Sequence, residues 1–316
     1  TGPAATPSPM RSIAGMRRTG SKLWRELPLY IMLAPAVVLV LIYAYVPMVG
    51  IVMAFQRVLP GRGIFGSPWV GLDNFRFVFE MPNIWQVVWN TVRISGLKAI
   101  AGVVVPVTVA LMLNDVRSRA FKRSVQTIVY IPHFLSWVIL AGIVVDILSP
   151  SEGIVNQALT AVGIKPIFFL GDDKVFPWTM VVTDVWKSFG FGTIVYLASL
   201  TDIDPTLYEA AAADGATRWQ MTRHITLPGI SGTILMLSTL SLGNILNAGF
   251  DQIFNLYGPL VYRTGDIIDT LVYRTGIINQ QFGVATAVGL LKSVVSLVLI
   301  AIAYKLAAKY ADYRVF

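Results

Sequence analysis

Glu209-Ala-Ala-Ala-Ala-Asp-Gly-Ala-Thr-Arg-Trp-Gln-Met-Thr-Arg-His-Ile-Thr-Leu-Pro228 is a hydrophilic interlude between two apolar stretches, each long enough to cross a bilayer. Asp204 before Pro205 predicts a helix start, because the carboxylate caps free amides and proline is preformed for the first helical position. Thr206 to Ala213 are mostly good helix formers, and Asp214-Gly215 ends the run because glycine accepts the left-handed conformation. Leu207, Ala210, Ala211 and Asp214 share one face by three- and four-residue spacing. The alanines let another protein approach the backbone, and Glu209 offers a charge that an arginine can clamp. Ala216 to His224 predicts a second short helix, and Pro228 opens the next apolar stretch. The segment reads as a handle for another protein, or as an ordinary interfacial helix pair.

Composition points to a membrane. Of 316 residues 55% are hydrophobic and 13% charged, with mean hydropathy +0.66; a soluble domain carries about 25% charged residues. There is no cysteine, which excludes disulfides and thiolate-ligated metals. The two histidines, His133 and His224, are far apart in sequence and make a metal site unfavourable. The net charge of +8 is read as a topology signal rather than a nucleic-acid surface.

Six stretches are expected to span, giving an all-α polytopic membrane protein: Pro28 to Phe55, Trp85 to Leu113, Val125 to Leu148, Pro177 to Leu200, Gly229 to Phe250 and Phe282 to Ala308. The first 27 residues form a basic tail with a proline-rich start and no signal-peptide pattern, and 28–316 form the membrane domain. Fourteen Lys and Arg fall on the side of the tail, the loop 114–124, the loop 201–228 and the C-terminus, against seven on the other side. Both termini and the 201–228 loop are therefore expected in the cytosol. Among the outer loops, Ile154 to Val162 reads as a short amphipathic helix. Phe250, Phe254, Tyr257 and Tyr262 begin a third outer loop that lies at the interface or dips back towards a cavity.

Glu209, Ala210, Ala211, Gly215, Ile225, Leu227 and Pro228 match without departure the EAA motif of permease subunits of binding-protein-dependent ABC importers. Asn90-Thr91, Tyr130 to Trp137, Gly249 to Tyr257, Ile267 to Thr270 and Val272 to Arg274 resemble the oligosaccharide and polysaccharide branch of that family. Within the branch the chain is most similar to permease subunits of alginate importers. The resemblance covers about residues 28–316. It implies a heterodimer with a second permease, two cytosolic ATPase subunits that hold ATP and Mg2+, and an extracytoplasmic solute-binding protein facing the outer loops. It also implies that the loop helix docks into a cleft on the ATPase. The chain has no Gly-x-x-x-x-Gly-Lys-Ser/Thr phosphate loop, so no nucleotide or other cofactor is expected on it, nor any catalysis.

Ionisable residues inside the spans face partners or wet cavities. Here they are Arg93, Lys98, Asp146, Asp184, Lys187 and Lys292. Asp184 and Lys187, three apart, read as an ion pair; alternatively Lys187, Arg93 and Lys292 line the route of an acidic sugar. Asn244 and Asn247 share a face of the fifth span and either contact sugar hydroxyls or bond between helices. By analogy with the maltose-type permease, Ser188 and Phe191 fall at sugar-contacting positions. Trp137 and Trp186 either stack on pyranose faces or anchor the interface. An ion-coupled secondary transporter using Asp146 or Asp184 is the alternative function. An intramembrane enzyme lacks any matched catalytic constellation.

Overall fold

The computed structural model describes residues 14–310 except Asn244, with side chains described between 26 and 305. The proline-rich start of the tail and the last six residues lie outside the described residues. The chain divides into two units, Thr1–Val52 and Met53–Phe316. No strand occurs among the described residues; one isolated bridge joins Gln56 and Trp69.

The first unit is one helical rod. Helix α1 (Ala14–Val40) begins within the basic segment. It widens to a π-turn over Leu41–Tyr45 and tightens to a 3-10 helix over Val46–Phe55. Pro47 explains the change: it has no N–H for the carbonyl of Tyr43, so the regular ladder cannot continue past it. No residue in the rod's apolar window is buried within the chain. Such a surface suits lipid or another membrane subunit.

In the second unit, the helices are α2 (Asp73–Glu80), α3 (Ile84–Asp115), α4 (Arg119–Phe134), α5 (Trp137–Leu148), α6 (Ile154–Ala161), α7 (Phe176–Thr201) and α8 (Pro205–Ala213). After them come α9 (Arg218–Gly229), α10 (Ser231–Gly243), α11 (Phe250–Leu256), α12 (Ile268–Tyr273) and α13 (Phe282–Tyr310). Helix α3 is the spine and packs along α7. Three buried clusters follow it in order. Ile84 and Val87 pack with Ile268, Leu271 and Val288. Ile94 packs with Phe176, Met180 and Ile253. Val107, Ala110 and Leu113 pack with Tyr196, Leu200 and Ile230. Close helix approach is built from small residues: a Cβ on Gly190 of α7 would strike the backbone carbonyl of Val129 on α4.

Glu26–Phe55, Ile84–Asp115 and Phe282–Lys305 are each long and apolar enough to cross a membrane, and two bent helix pairs meet that criterion together. Helix α7 is long enough but carries Asp184 and Lys187 and is not among them. The third expected span is not one helix: α4 and α5 meet at 109°. Pro132 withholds a donor from the Ile128 carbonyl, Leu135 is extended, and Ser136 caps the new helix by accepting from the Ile139 amide at 3.4 Å. The fifth expected span is bent by 57° at Ile230 and its helix ends at Gly243. The chain then turns through Gly249, at φ 89°, into α11.

The segment after α10 packs back against α3 and α7. Gln252 of α11 is fully buried and donates to the Met180 carbonyl at 2.8 Å and to Thr183 at 2.7 Å. Asn90 donates to the carbonyls of Arg263 and Asp266, and Thr91 accepts from the Ile268 amide at 2.9 Å. Arg274 clamps buried Asp266 through two hydrogen bonds of 3.1 and 2.6 Å. Those bonds raise the Arg274 pKa further.

Candidate functional site

Two sites emerge, one on the 201–228 loop and one along α3, α7 and α10. On the loop, Asp204 accepts from the Thr206 amide at 2.9 Å, and that hydrogen bond holds its carboxyl below the ordinary aspartate range. Helix α8 runs to Ala213 and turns at Gly215, φ 78°. Thr217 and Gln220 form a capping box that starts α9. The second helix is longer than the sequence predicts, because it continues through a π-turn to Gly229 instead of ending at His224. Tyr208 and Thr226 join the two arms at 3.0 Å.

Glu209 is exposed and in no ion pair among the described residues. Leu207, Ala210 and Trp219 are exposed as well, which leaves an apolar face with a carboxylate beside it. Ala211, Asp214, Gly215 and Ile225 line a cleft of about 340 Å³ between the arms. Leu227 is half-buried and Pro228 exposed at the entry to the bend into α10. Every predicted coupling residue thus lies on one folded segment.

Inside the helix assembly two neighbouring cavities share Ser241 of α10. One, about 320 Å³, is lined by His133, Ser188, Phe191, Tyr196 and Ser241. His133 stacks on Phe191 with ring centroids 4.5 Å apart, and its buried Nδ1 has no hydrogen-bond partner. The other, about 230 Å³, is lined by Ser95, Lys98, Asp184, Ser241 and Asn247. Hydroxyls, an amide and an aromatic face are groups that hold a polyhydroxylated ligand.

The break after α10 frees backbone carbonyls, and α3 satisfies them. Ser95 donates to the Ile245 carbonyl, and Lys98 donates to the Ala248 carbonyl at 2.7 Å and to Gln252. A buried carbonyl left without a partner costs about 1–3 kcal/mol, so these side chains are what make the break tolerable.

Several expectations change here. Asp184 pairs with Lys98 on α3 at 3.5 Å, not with Lys187. Lys187 donates to the His133 carbonyl at 2.9 Å and sits 5.9 Å from the Trp137 ring. Lys292 bonds Asp269 of α12 and lines neither cavity. Arg93, half-buried on α3, makes no ion pair or hydrogen bond among the described residues and lines neither cavity. Trp186 is 43% exposed and apart from both. Asn247 lies in the turn beyond α10, and Asn244, expected on the same face, is outside the described residues. The sequence gives no sign of Ser95 and Ser241, small polar residues on helices whose mean hydropathy hides them, and it marks Gln252 only within the Gly249 to Tyr257 resemblance. It marks His133 only as part of a motif.

A family described as binding-protein-dependent transport system inner membrane component matches residues 102–312. The polygalacturonan/rhamnogalacturonan transport system permease protein YteP of Bacillus subtilis is 40% identical over 291 residues, 92% of this chain and 91% of its own. A crystal structure of a bacterial ABC transporter involved in the import of the acidic polysaccharide alginate contains a chain 41% identical, with TM-score 0.85 over 93% of this chain and 99% of that one. A second, of a bacterial alginate ABC transporter in complex with its alginate pentasaccharide-bound periplasmic protein, is 41% identical with TM-score 0.84 over 92% and 96%.

Proposed function

Because the chain belongs to the inner membrane components of binding-protein-dependent transport systems, we propose that it is the permease subunit of an ATP-driven importer for an acidic oligo- or polysaccharide. Alginate and polygalacturonan, named for two of its relatives, are both polyuronates. In this reading six spans cross the bacterial inner membrane: α1 with its continuation, α3, α4 with α5, α7, α9 with α10, and α13. Both termini and the 201–228 loop are cytosolic, as the Lys and Arg bias supports.

A second permease completes the pathway, two ATPase subunits bind ATP and Mg2+, and an extracytoplasmic binding protein delivers the sugar. This chain is a non-catalytic subunit that holds no cofactor. The sugar passes the cavities lined by Ser188, Phe191, His133 and Asn247.

The observation that carries the reading is the exposed, separately capped α8–Gly215–α9 segment, which runs on through a 57° bend into α10. Closure of an ATPase cleft on α8 would move α9 and α10 together, and α10 walls both cavities. The test is Glu209→Lys in the assembled importer, measured in vesicles with a labelled uronate oligomer. ATP hydrolysis should persist while uptake is lost; normal uptake refutes the coupling role.

A further inference from the structure

At the first outer loop, a cleft of about 400 Å³ is lined by Gln56, Arg57, Asp73, Phe77, Gln280 and Gln281. None of the cavities already described includes these residues. Gln56 is 2% exposed, and its side-chain oxygen is buried with no hydrogen-bond partner. Across the cleft, Gln280 has φ 55°, the one positive value on a non-glycine residue among those described. That left-handed turn ends the helix Arg274–Ile278, with the Gln281 amide donating back to the Thr275 carbonyl at 2.9 Å, and it sets both glutamine side chains at the cleft.

The walls are fixed. Asn74 donates to the carbonyls of Ala54 and Gln56, both at 2.9 Å. A Cβ on Gly283 would run into the Gln56 carbonyl and the Asn74 amide, so glycine brings α13 against this loop. Phe77 is 47% exposed. Arg57 and Asp73 are exposed at the rim, in no ion pair among the described residues.

We propose that this cleft is an outer-face sugar subsite that takes one uronate ring of the cargo before it enters the membrane. Phe77 meets the apolar C–H face of the ring. The amides of Gln280 and Gln281 donate to and accept from ring hydroxyls, and Arg57 pairs with the carboxylate. The proposal rests on the carbohydrate reading above and on the outward orientation of this loop.

The chain has no cysteine, so Val58→Cys, in the cleft wall, gives it a single thiol; Val284→Cys is the second reporter should the first fail to assemble. In the purified importer, maleimide labelling of this chain is timed with an alginate pentasaccharide or a galacturonate pentamer, without binding protein. Labelling should slow saturably, by about tenfold at ten times Kd. Adding Phe77→Ala or Gln281→Ala should abolish the slowing. No slowing by either sugar, in a complex that takes one of them up, overturns the subsite and leaves the transport reading intact. Slowing by sugar-free binding protein alone makes the cleft a protein contact and also overturns it. If neither sugar is taken up, the cargo reading fails, and the subsite with it.

Discussion

Replacing Lys98 by methionine removes one ammonium and strands three acceptors. Lys98 bonds the Ala248 carbonyl and Gln252, and its charge faces Asp184 at 3.5 Å. Its side chain is 9% exposed, so little water can replace it. Removing one member of a buried pair costs about 3–5 kcal/mol, because the other charge is left uncompensated. The Asp184 side chain keeps 28% exposure, so partial solvation sets the loss near the lower end, at about 3 kcal/mol. The orphaned carbonyl and amide oxygens belong to the same loss and are not added to it. At about 2–4 °C per kcal/mol, Tm falls by about 6–12 °C. The assay is tryptophan-monitored unfolding of the purified protein in detergent. Adding Asp184→Asn to Lys98→Met removes the stranded charge and should recover about 1–2 kcal/mol. A single variant that melts within about 1 °C of wild type, or a double variant less stable than the single one, refutes the anchoring role.

Gly215 has φ 78° with open space where a Cβ would go. The cost of Gly215→Ala is therefore backbone alone, about 1–2 kcal/mol, and Gly215→Asn should be milder because asparagine visits this region readily. Uptake per ATP hydrolysed in vesicles should rank glycine, asparagine, alanine, valine, and any other order refutes the turn argument. Gly190→Val pushes α7 off the Val129 carbonyl and should cost about 1–3 kcal/mol by overpacking; an unchanged Tm would show that the two helices do not meet there. The Tyr257 hydroxyl is pushed up to about 12, first by burial and then by Tyr262 and Asp266. Its folded pKa is raised, so its contribution to the stability of the 250–274 segment is complete below the ordinary tyrosine range and fades as pH rises towards 12. In an ultraviolet tyrosinate titration, Tyr257→Phe should lose the latest-titrating step; loss of an early step instead would contradict the burial.

What was legible in the sequence was local. The ends of α3, α7 and α13 follow hydropathy to within a few residues. The 204–228 segment follows its caps, with Asp204, Gly215 and the Thr217–Gln220 box each acting within a few positions. The break between α4 and α5 is written in Pro132 and Ser136, but an averaged apolar run conceals it. The end of α10 was not legible, because its anchors Ser95 and Lys98 stand 150 residues away from the carbonyls they bond. The same distance explains the wrong partner for Asp184. Neighbours at three residues are visible on one helix, whereas a cation from another helix, already desolvated, is the stronger claimant.

That correction bears on how cargo charge is sensed. Four cations lie in the expected spans, and their count suits an acidic sugar little better than a neutral one. Lys98, Lys187 and Lys292 are each bonded to protein groups. Lys98 closes a break in a helix, Lys187 satisfies a carbonyl at the α4–α5 bend, and Lys292 ties α13 to α12. Drawing any of them towards a carboxylate would cost the bonds it already makes. Only Arg93 among the four has no such bond, and it lines neither cavity. The cavity groups left to meet a sugar are therefore neutral: Ser188, Ser241 and Asn247. Neutral groups recognise hydroxyls, which every saccharide offers, so discrimination by charge is better served before the membrane is reached. On the proposed outward orientation, Arg57, exposed and in no ion pair among the described residues, is the cation that lines the cleft where that discrimination would occur.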